Sequence, residues 1–162
     1  MAGILFHVAN IYGSVRLGRF DDNTEAERLG WTIISVPDDS WAWTSPINMI
    51  GWFIDDGPTG SCTSELFELD TNAKYIRLYH RGNKNENQYI QLLNESSNVL
   101  IQENFYPPDN DYYQRDLDIS AYTGQIVKIR FIDNKSAGFG QMGVRNIRIV
   151  DVSGNTLLPF ED

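Results

Sequence analysis

The sequence predicts an all-β domain, an antiparallel β-sandwich of jelly-roll type. Three observations carry that expectation. Several short segments alternate strictly between apolar and polar residues, as half-buried strands do. The gaps between them are rich in Gly, Asn, Asp and Pro, which tolerate turn conformations. No stretch holds a helical period for more than about a turn or two.

Taken in order, strands are expected at Ile4–Ala9, Val15–Phe20, Trp31–Val36, Met49–Ile54 and Ser64–Leu69. Asn23–Leu29 reads as a short helical turn. Tyr75–Tyr79 places Ile76 and Leu78 on one face and Tyr75, Arg77, Tyr79 and Arg81 in a row on the other. Tyr89–Leu92 and Val99–Asn104 follow. Val127–Phe131 is the clearest strand, with Val127, Ile129 and Phe131 on one face and Lys128 and Arg130 on the other. Asn146–Ile149 repeats its pattern. Turns are expected at Asp55–Gly60, Arg81–Asn85 and Ser153–Asn155, and a longer loop at Tyr106–Asp111. Many short strands at this spacing indicate a sandwich or barrel. With no repeat, low-complexity tract or linker, one domain over residues 1–162 is the simplest reading, and residues 1–19 are a candidate assembly strand or anchor.

Composition narrows the function. A chain of 162 residues is long enough for one ordinary buried core. Aromatics reach 12%, more than a core alone demands, which points to aromatic side chains with a surface task. The net charge of −9 repels polyanions, so nucleic acid is an unexpected partner. No apolar run is long enough to cross a membrane, so membrane insertion is not expected. A chain beginning at Met1 without a basic, then apolar leader reads as a whole gene product made in the cytoplasm without a signal peptide. Cys62 is the sole cysteine, which excludes an internal disulfide. Residues 21–70 carry eleven acids against the single base Arg28, whereas residues 71–150 carry ten bases against eight acids. The acidic half is either a solvated edge or a docking surface for a basic partner or cation.

From about residue 57 to 150 the order of motifs resembles a known family. Gly57-Pro58-Thr59-Gly60-Ser61-Cys62-Thr63-Ser64-Glu65-Leu66-Phe67 opens it, and Ile76-Arg77-Leu78-Tyr79 follows. Asp116-Leu117-Asp118-Ile119-Ser120-Ala121-Tyr122-Thr123-Gly124 leads into Val127–Phe131. Asp133-Asn134-Lys135-Ser136-Ala137-Gly138-Phe139-Gly140 then precedes Val144-Arg145-Asn146-Ile147. This resembles the C-terminal β-sandwich module of family 32 glycoside hydrolases and the related fructan-binding modules. Arg19-Phe20-Asp21-Asp22 followed by Trp31 is similar to the family's first strand. Phe139 stands where that family has Trp, Asn146 where it has Asp, and Ser64-Glu65 where it has Ser-Pro. The resemblance implies the sandwich fold. It implies a structural calcium ion on Asp21, Asp22 and Asp133, since carboxylate and carbonyl oxygens suit that hard cation. No other cofactor is implied. The hydrolase part of the family has no counterpart in the chain.

A glycan site needs an aromatic face for C–H stacking and fixed polar groups for hydroxyls. Trp41 and Trp43 are the best aromatic candidates, two residues apart in a stretch bracketed by Pro37 and Pro46 that reads as a loop. Asp38 and Asp39 flank them. Both tryptophans equally suit a cap on the core. Asp111, Tyr112 and Tyr113 form a second acidic and aromatic cluster, read as a binding site or as a solvent-facing loop with structural tyrosines. The row Tyr75–Arg81 is either a stacking face, a subunit contact or an ordinary polar outer face. Catalysis finds little support. His7 and His80 are the only histidines, and His80 shares a face with Ile76 and Leu78. Cys62 reads as a small buried hydrophobe. The expected protein is therefore no enzyme. It is a structural or adhesive component of a virion surface, a phage capsid decoration or tail protein, whose partners are assembly proteins or its own copies. The alternative is a free-standing lectin for a fructan or other glycan.

Overall fold

The computed structural model describes residues 30–36, 42–43, 50–51, 59–82, 87–104, 112–134 and 142–157. Among them twelve strands form two antiparallel sheets. The first sheet holds β1 (Thr32–Val36), β4 (Thr59–Thr63), β10 (Ile126–Asp133), β7 (Gln88–Asn94) and β8 (Val99–Asn104) in that spatial order. Its short β5 (Phe67–Glu68) also pairs with β10. The second sheet runs β2 (Ala42–Trp43), β3 (Ile50–Gly51), β11 (Met142–Val150), β6 (Tyr75–Gly82) and β9 (Tyr113–Asp118), with β12 (Thr156–Leu157) on β11. The expected all-β sandwich is the observed one.

The core lies between the two inner faces. β10 supplies Val127, Ile129 and Phe131, and β7 supplies Ile90 and Leu92 directly opposite. From the second sheet come Ile76, Leu78, Val144, Ile147, Ile149 and Leu117. Trp31, just before β1, stacks on Phe131 with ring centroids 5.9 Å apart and planes 14° from parallel. Burying each such side chain stabilises the fold by about 1.5–3 kcal/mol. Cys62 and His80 are buried as expected, and burial pushes the Cys62 thiol well above its usual range.

Two irregularities shape the sheets. Ser64 is buried between β4 and β5, and its Oγ accepts the Ile129 N–H at 3.0 Å while its own N–H donates to the Ile129 carbonyl at 2.9 Å. One side chain thus repairs the ladder where the strand leaves it. In β11 the register with β6 shifts between Arg145 and Arg148, and Asn146 there has φ 51°. Asn tolerates this left-handed region better than most residues.

Several sequence expectations need correction. Thr59 and Gly60, read as the end of a turn, open β4. Its Gly, Ser and Thr residues look turn-like because Cys62 is its only buried residue. The strand expected at Ser64–Leu69 shrinks to Phe67–Glu68, since Ser64 steps out of the ladder. The stretch read as a loop around Trp43 contains β2, held by β3. Tyr113, read as part of a loop, starts β9, a strand with too little apolar alternation to show in the sequence. Ile4–Ala9, Val15–Phe20, Asn23–Leu29, Tyr106–Asp111 and the anchor at residues 1–19 lie outside the described residues.

Candidate binding surface at the His80 end

The strand pairings give the sandwich two unlike ends. One end gathers the turns after Leu69, Asn94, Asp118 and Val150. At each of these an Asp or Asn side chain folds back on the backbone. Asp70 Oδ1 accepts Asn72 N–H at 2.7 Å. Asn94 Oδ1 accepts Ser96 N–H at 3.0 Å and Asn98 N–H at 2.9 Å. Asp118 Oδ1 accepts Ser120 N–H at 3.0 Å. Asp151 Oδ1 accepts Ser153 N–H and Asn155 N–H, each at 2.9 Å. The Asn155 amide chiefly, with those backbone donors, holds the Asp151 carboxyl below the usual range. At Asp118 the Lys74 ammonium, 2.7 Å away, is the main cause of a still deeper depression.

The opposite end is the His80 end. Register places Asp133 opposite Gly60 and Gln88 in the first sheet, and His80 opposite Val144 and Tyr113 in the second. His80, Gln88 and Asp133 are buried, so this end of the interior is polar. Burial first, and the Arg115 charge second, push the His80 imidazole down to about 4, so it is neutral at ordinary pH. Arg115 on β9 pairs with Glu103 on β8 at 2.6 Å, joining the edges of the two sheets. The Arg81 guanidinium lies over the Tyr112 ring, 5.9 Å from its centroid.

Ten described residues at this end flank the connecting segments 37–41, 52–58, 83–86, 105–111 and 135–141: Val36, Ala42, Gly51, Thr59, Gly82, Asn87, Asn104, Tyr112, Asn134 and Met142. The topology therefore roots most of the sequence-predicted site at one end of the sandwich. Asp38, Asp39 and Trp41 fall between Val36 and Ala42, and Asp111 precedes Tyr112; all four lie outside the described residues. Trp43 sits opposite Ile50, which sits opposite Val144, in the transverse row that also holds His80. Tyr112 and Tyr113 are half-buried, Tyr113 opposite His80 in the β6–β9 ladder. That ladder corrects the solvent-facing loop.

Of the calcium set, Asp133 is fully buried, and Asp21 and Asp22 lie outside the described residues. No group of three or more His, Cys, Asp or Glu among the described residues could hold a metal ion. No described helix is long and apolar enough to cross a membrane. On the outer face of the second sheet, Arg77 makes a two-pronged pair with Asp116, 2.8 Å on each prong, and Lys74 lies over the Tyr75 ring at 5.4 Å. The row Tyr75–Arg81 is thus half-buried and largely engaged within the sheet. Sequence reasoning missed the Arg115–Glu103 clasp, since only the meeting of two sheet edges creates it.

No family model matches the chain, and no curated protein matches it. Among solved structures it is similar to the K1 cleaved adhesin domain of Lys-gingipain from Porphyromonas gingivalis W83. That pair shares 13% identity with a TM-score of 0.55, over 82% of this chain and 95% of the other. The K3 cleaved adhesin domain of the same protein gives 12% identity and a TM-score of 0.53, over 82% and 96%. Its K2 cleaved adhesin domain gives 15% and 0.50, over 82% and 99%. At such identities the likeness shows the fold. Of the family 32 resemblance they support the β-sandwich fold alone, and the family itself finds no match.

Proposed function

We propose that the chain is a non-catalytic binding domain that recognises a glycan at the His80 end. The observation that carries this reading is that the described residues flanking five segments lie at that end, among them Val36 and Ala42 on either side of Asp38-Asp39-Ser40-Trp41, and Tyr112 after Asp111. Sandwich proteins commonly carry recognition on such connections, because the sheets hold the ends rigidly while the residues between are free to vary. The adhesin domains with this fold favour attachment over chemistry. His80, the one described histidine, is buried and neutral in a ladder, which suits a core residue better than a general base.

A broad glycan array that includes fructans, run beside Trp41→Ala and Trp41→Ala/Trp43→Ala variants, tests the reading. Binding by the parent that falls at least tenfold in Trp41→Ala, with an unchanged thermal melt, supports it. Parent binding that both variants retain, or no binding to any glycan, overturns it.

A second reading makes the domain a structural subunit, such as a virion-surface component, with a protein or a second copy as partner. Its support is β1, which pairs only with β4 among the described residues and exposes Ile34 at 61%. An open edge strand with an exposed aliphatic residue is the kind of element that assemblies extend.

A further inference from the structure

We infer that the outward face of the first sheet binds an acidic polysaccharide, one bearing carboxylate or sulfate groups, with Arg130 and Lys128 as the anion contacts. This surface is distinct from the His80 end, and the inference does not depend on the reading given for that end.

The first observation is the state of the cations. On the second sheet Arg77 and Arg115, and just before it Lys74, each meet a carboxylate. On the outward face of the first sheet, Lys128 Nζ donates to Ser97 Oγ at 2.7 Å and Arg130 Nε to Gln91 Oε1 at 2.8 Å. Both acceptors are neutral. Lys128 and Arg130 are two residues apart on β10, so they share a face about 7 Å apart.

The second observation is that Arg130 is held in place. Gln91 passes the contact on, its Nε2 donating to Gln102 Oε1 at 2.6 Å. The relay crosses β10, β7 and β8 and is fixed at its centre, where Gln91 is only 5% exposed. It grips the guanidinium through Nε, and the Nη groups make no hydrogen bond to a described residue. A pre-positioned guanidinium whose terminal donors remain available is the geometry that takes a carboxylate or sulfate.

The third observation is charge. The chain carries −9 overall, yet the outward positions of β1, β4, β7, β8 and β10 hold no carboxylate. Glu68 on β5 lies beyond them, opposite Ile126, and makes no ion pair with Lys128. Hydroxyl and amide groups dominate the rest: Thr63 faces Arg130 on one side, and Gln91 faces it on the other. The next row places half-buried Tyr89 beside Ile132. Fixed amides and hydroxyls with one aromatic ring suit a hydroxyl-rich chain.

The test is affinity electrophoresis of the full chain in gels containing polygalacturonate, heparin, dextran, inulin or polyglutamate. Arg130→Gln, Lys128→Gln, Gln102→Ala and Trp41→Ala variants are run beside the parent, each checked by circular dichroism. The expected result is salt-sensitive retardation by polygalacturonate or heparin and none by dextran or inulin. It should weaken roughly tenfold in Arg130→Gln, less in Lys128→Gln and Gln102→Ala, and stay intact in Trp41→Ala. No retardation by either acidic polysaccharide overturns the inference. So does retardation that Arg130→Gln and Lys128→Gln both leave unchanged. Stronger retardation by polyglutamate would assign the face to an acidic protein instead. Loss of binding in Trp41→Ala alone would move the ligand to the His80 end.

Discussion

The two ends of this sandwich share one core and solve opposite problems. At the turn end, Asp70, Asn94, Asp118 and Asp151 each tie their own turn shut through backbone N–H groups two or four residues further on. The chain reverses in a few residues, and the interior beneath is apolar: Val127, Ile149 and Leu117. At the His80 end the interior is polar, the sheets are clasped by Arg115 and Glu103, and five connecting segments are rooted. The difference teaches where selection for shape ends and room for recognition begins. A turn closed by its own side chain commits that side chain's acceptor to the backbone, whereas the segments rooted at the His80 end carry Asp38, Asp39, Trp41 and Asp111 in their sequence.

The core common to both ends sets the largest expected effect. Phe131→Ala removes a fully buried ring that stacks on Trp31 and faces Ile90 and Cys62 from neighbouring strands. Truncations of this kind cost about 3–5 kcal/mol. Urea unfolding followed by tryptophan fluorescence measures it. A loss under about 1 kcal/mol would mean that the two sheets do not depend on one core at this point.

How much of this was legible in the sequence follows from what each strand relies on. β10 was plain, since Val127, Ile129 and Phe131 alternate with Lys128 and Arg130, and the pattern alone states which face is buried. β9 was hidden. Only Leu117 is buried in Tyr113–Asp118, and the strand is held by its ladder to β6 and by the Arg77–Asp116 pair, 39 residues apart in sequence. The first two residues of β4, Thr59 and Gly60, read as the end of a turn because their types are those of turns, and pairing on both sides of the strand outweighs their weak strand preference. The candidate site was legible as residue types at 38–43 and 111–113. That these stretches are rooted at one end is a property of topology, which no local pattern carries. The Arg130–Gln91–Gln102 relay was out of reach for the same reason. The alternation placed Arg130 on the outer face, but strand pairing alone chose its partners.

A smaller effect sharpens the contrast from the turn side. Asn94→Ala removes the acceptor for Ser96 N–H and Asn98 N–H. Loss of a turn-closing side chain of this kind costs about 1–2 kcal/mol. The loss is read from the urea midpoint at neutral pH. It should leave any ligand affinity of the His80 end unchanged, because the turn lies at the far end of the strands. A matched loss of affinity would show that the two ends are coupled through β7.

An effect confined to acid pH comes from His80 and probes the other side. Its folded value is lowered to about 4 from an ordinary 6.5, so between those limits the unfolded chain holds a proton that the folded chain does not. Acidification through this window therefore favours unfolding, and above 6.5 the group contributes no pH dependence. Linkage over this window sets a ceiling of about 3 kcal/mol on the decline, and relaxation of the buried ring on protonation lowers it. Urea midpoints of the parent and of His80→Gln, taken at intervals through the window, isolate it, because the carboxylates are common to both proteins. The parent should lose stability faster than the variant as pH falls. Parallel curves would mean that the ring takes up its proton inside the fold, and the His80 end would then be wetter than its burial implies. The turn end offers an internal control. Asp118 and Asp151 are held below the carboxylate range, so what they contribute is present above their ordinary 3.8 and is lost only as pH falls beneath it. Acidification thus removes stability first through His80 and then through Asp118 and Asp151, because one end buries a base and the other holds its carboxylates ionised.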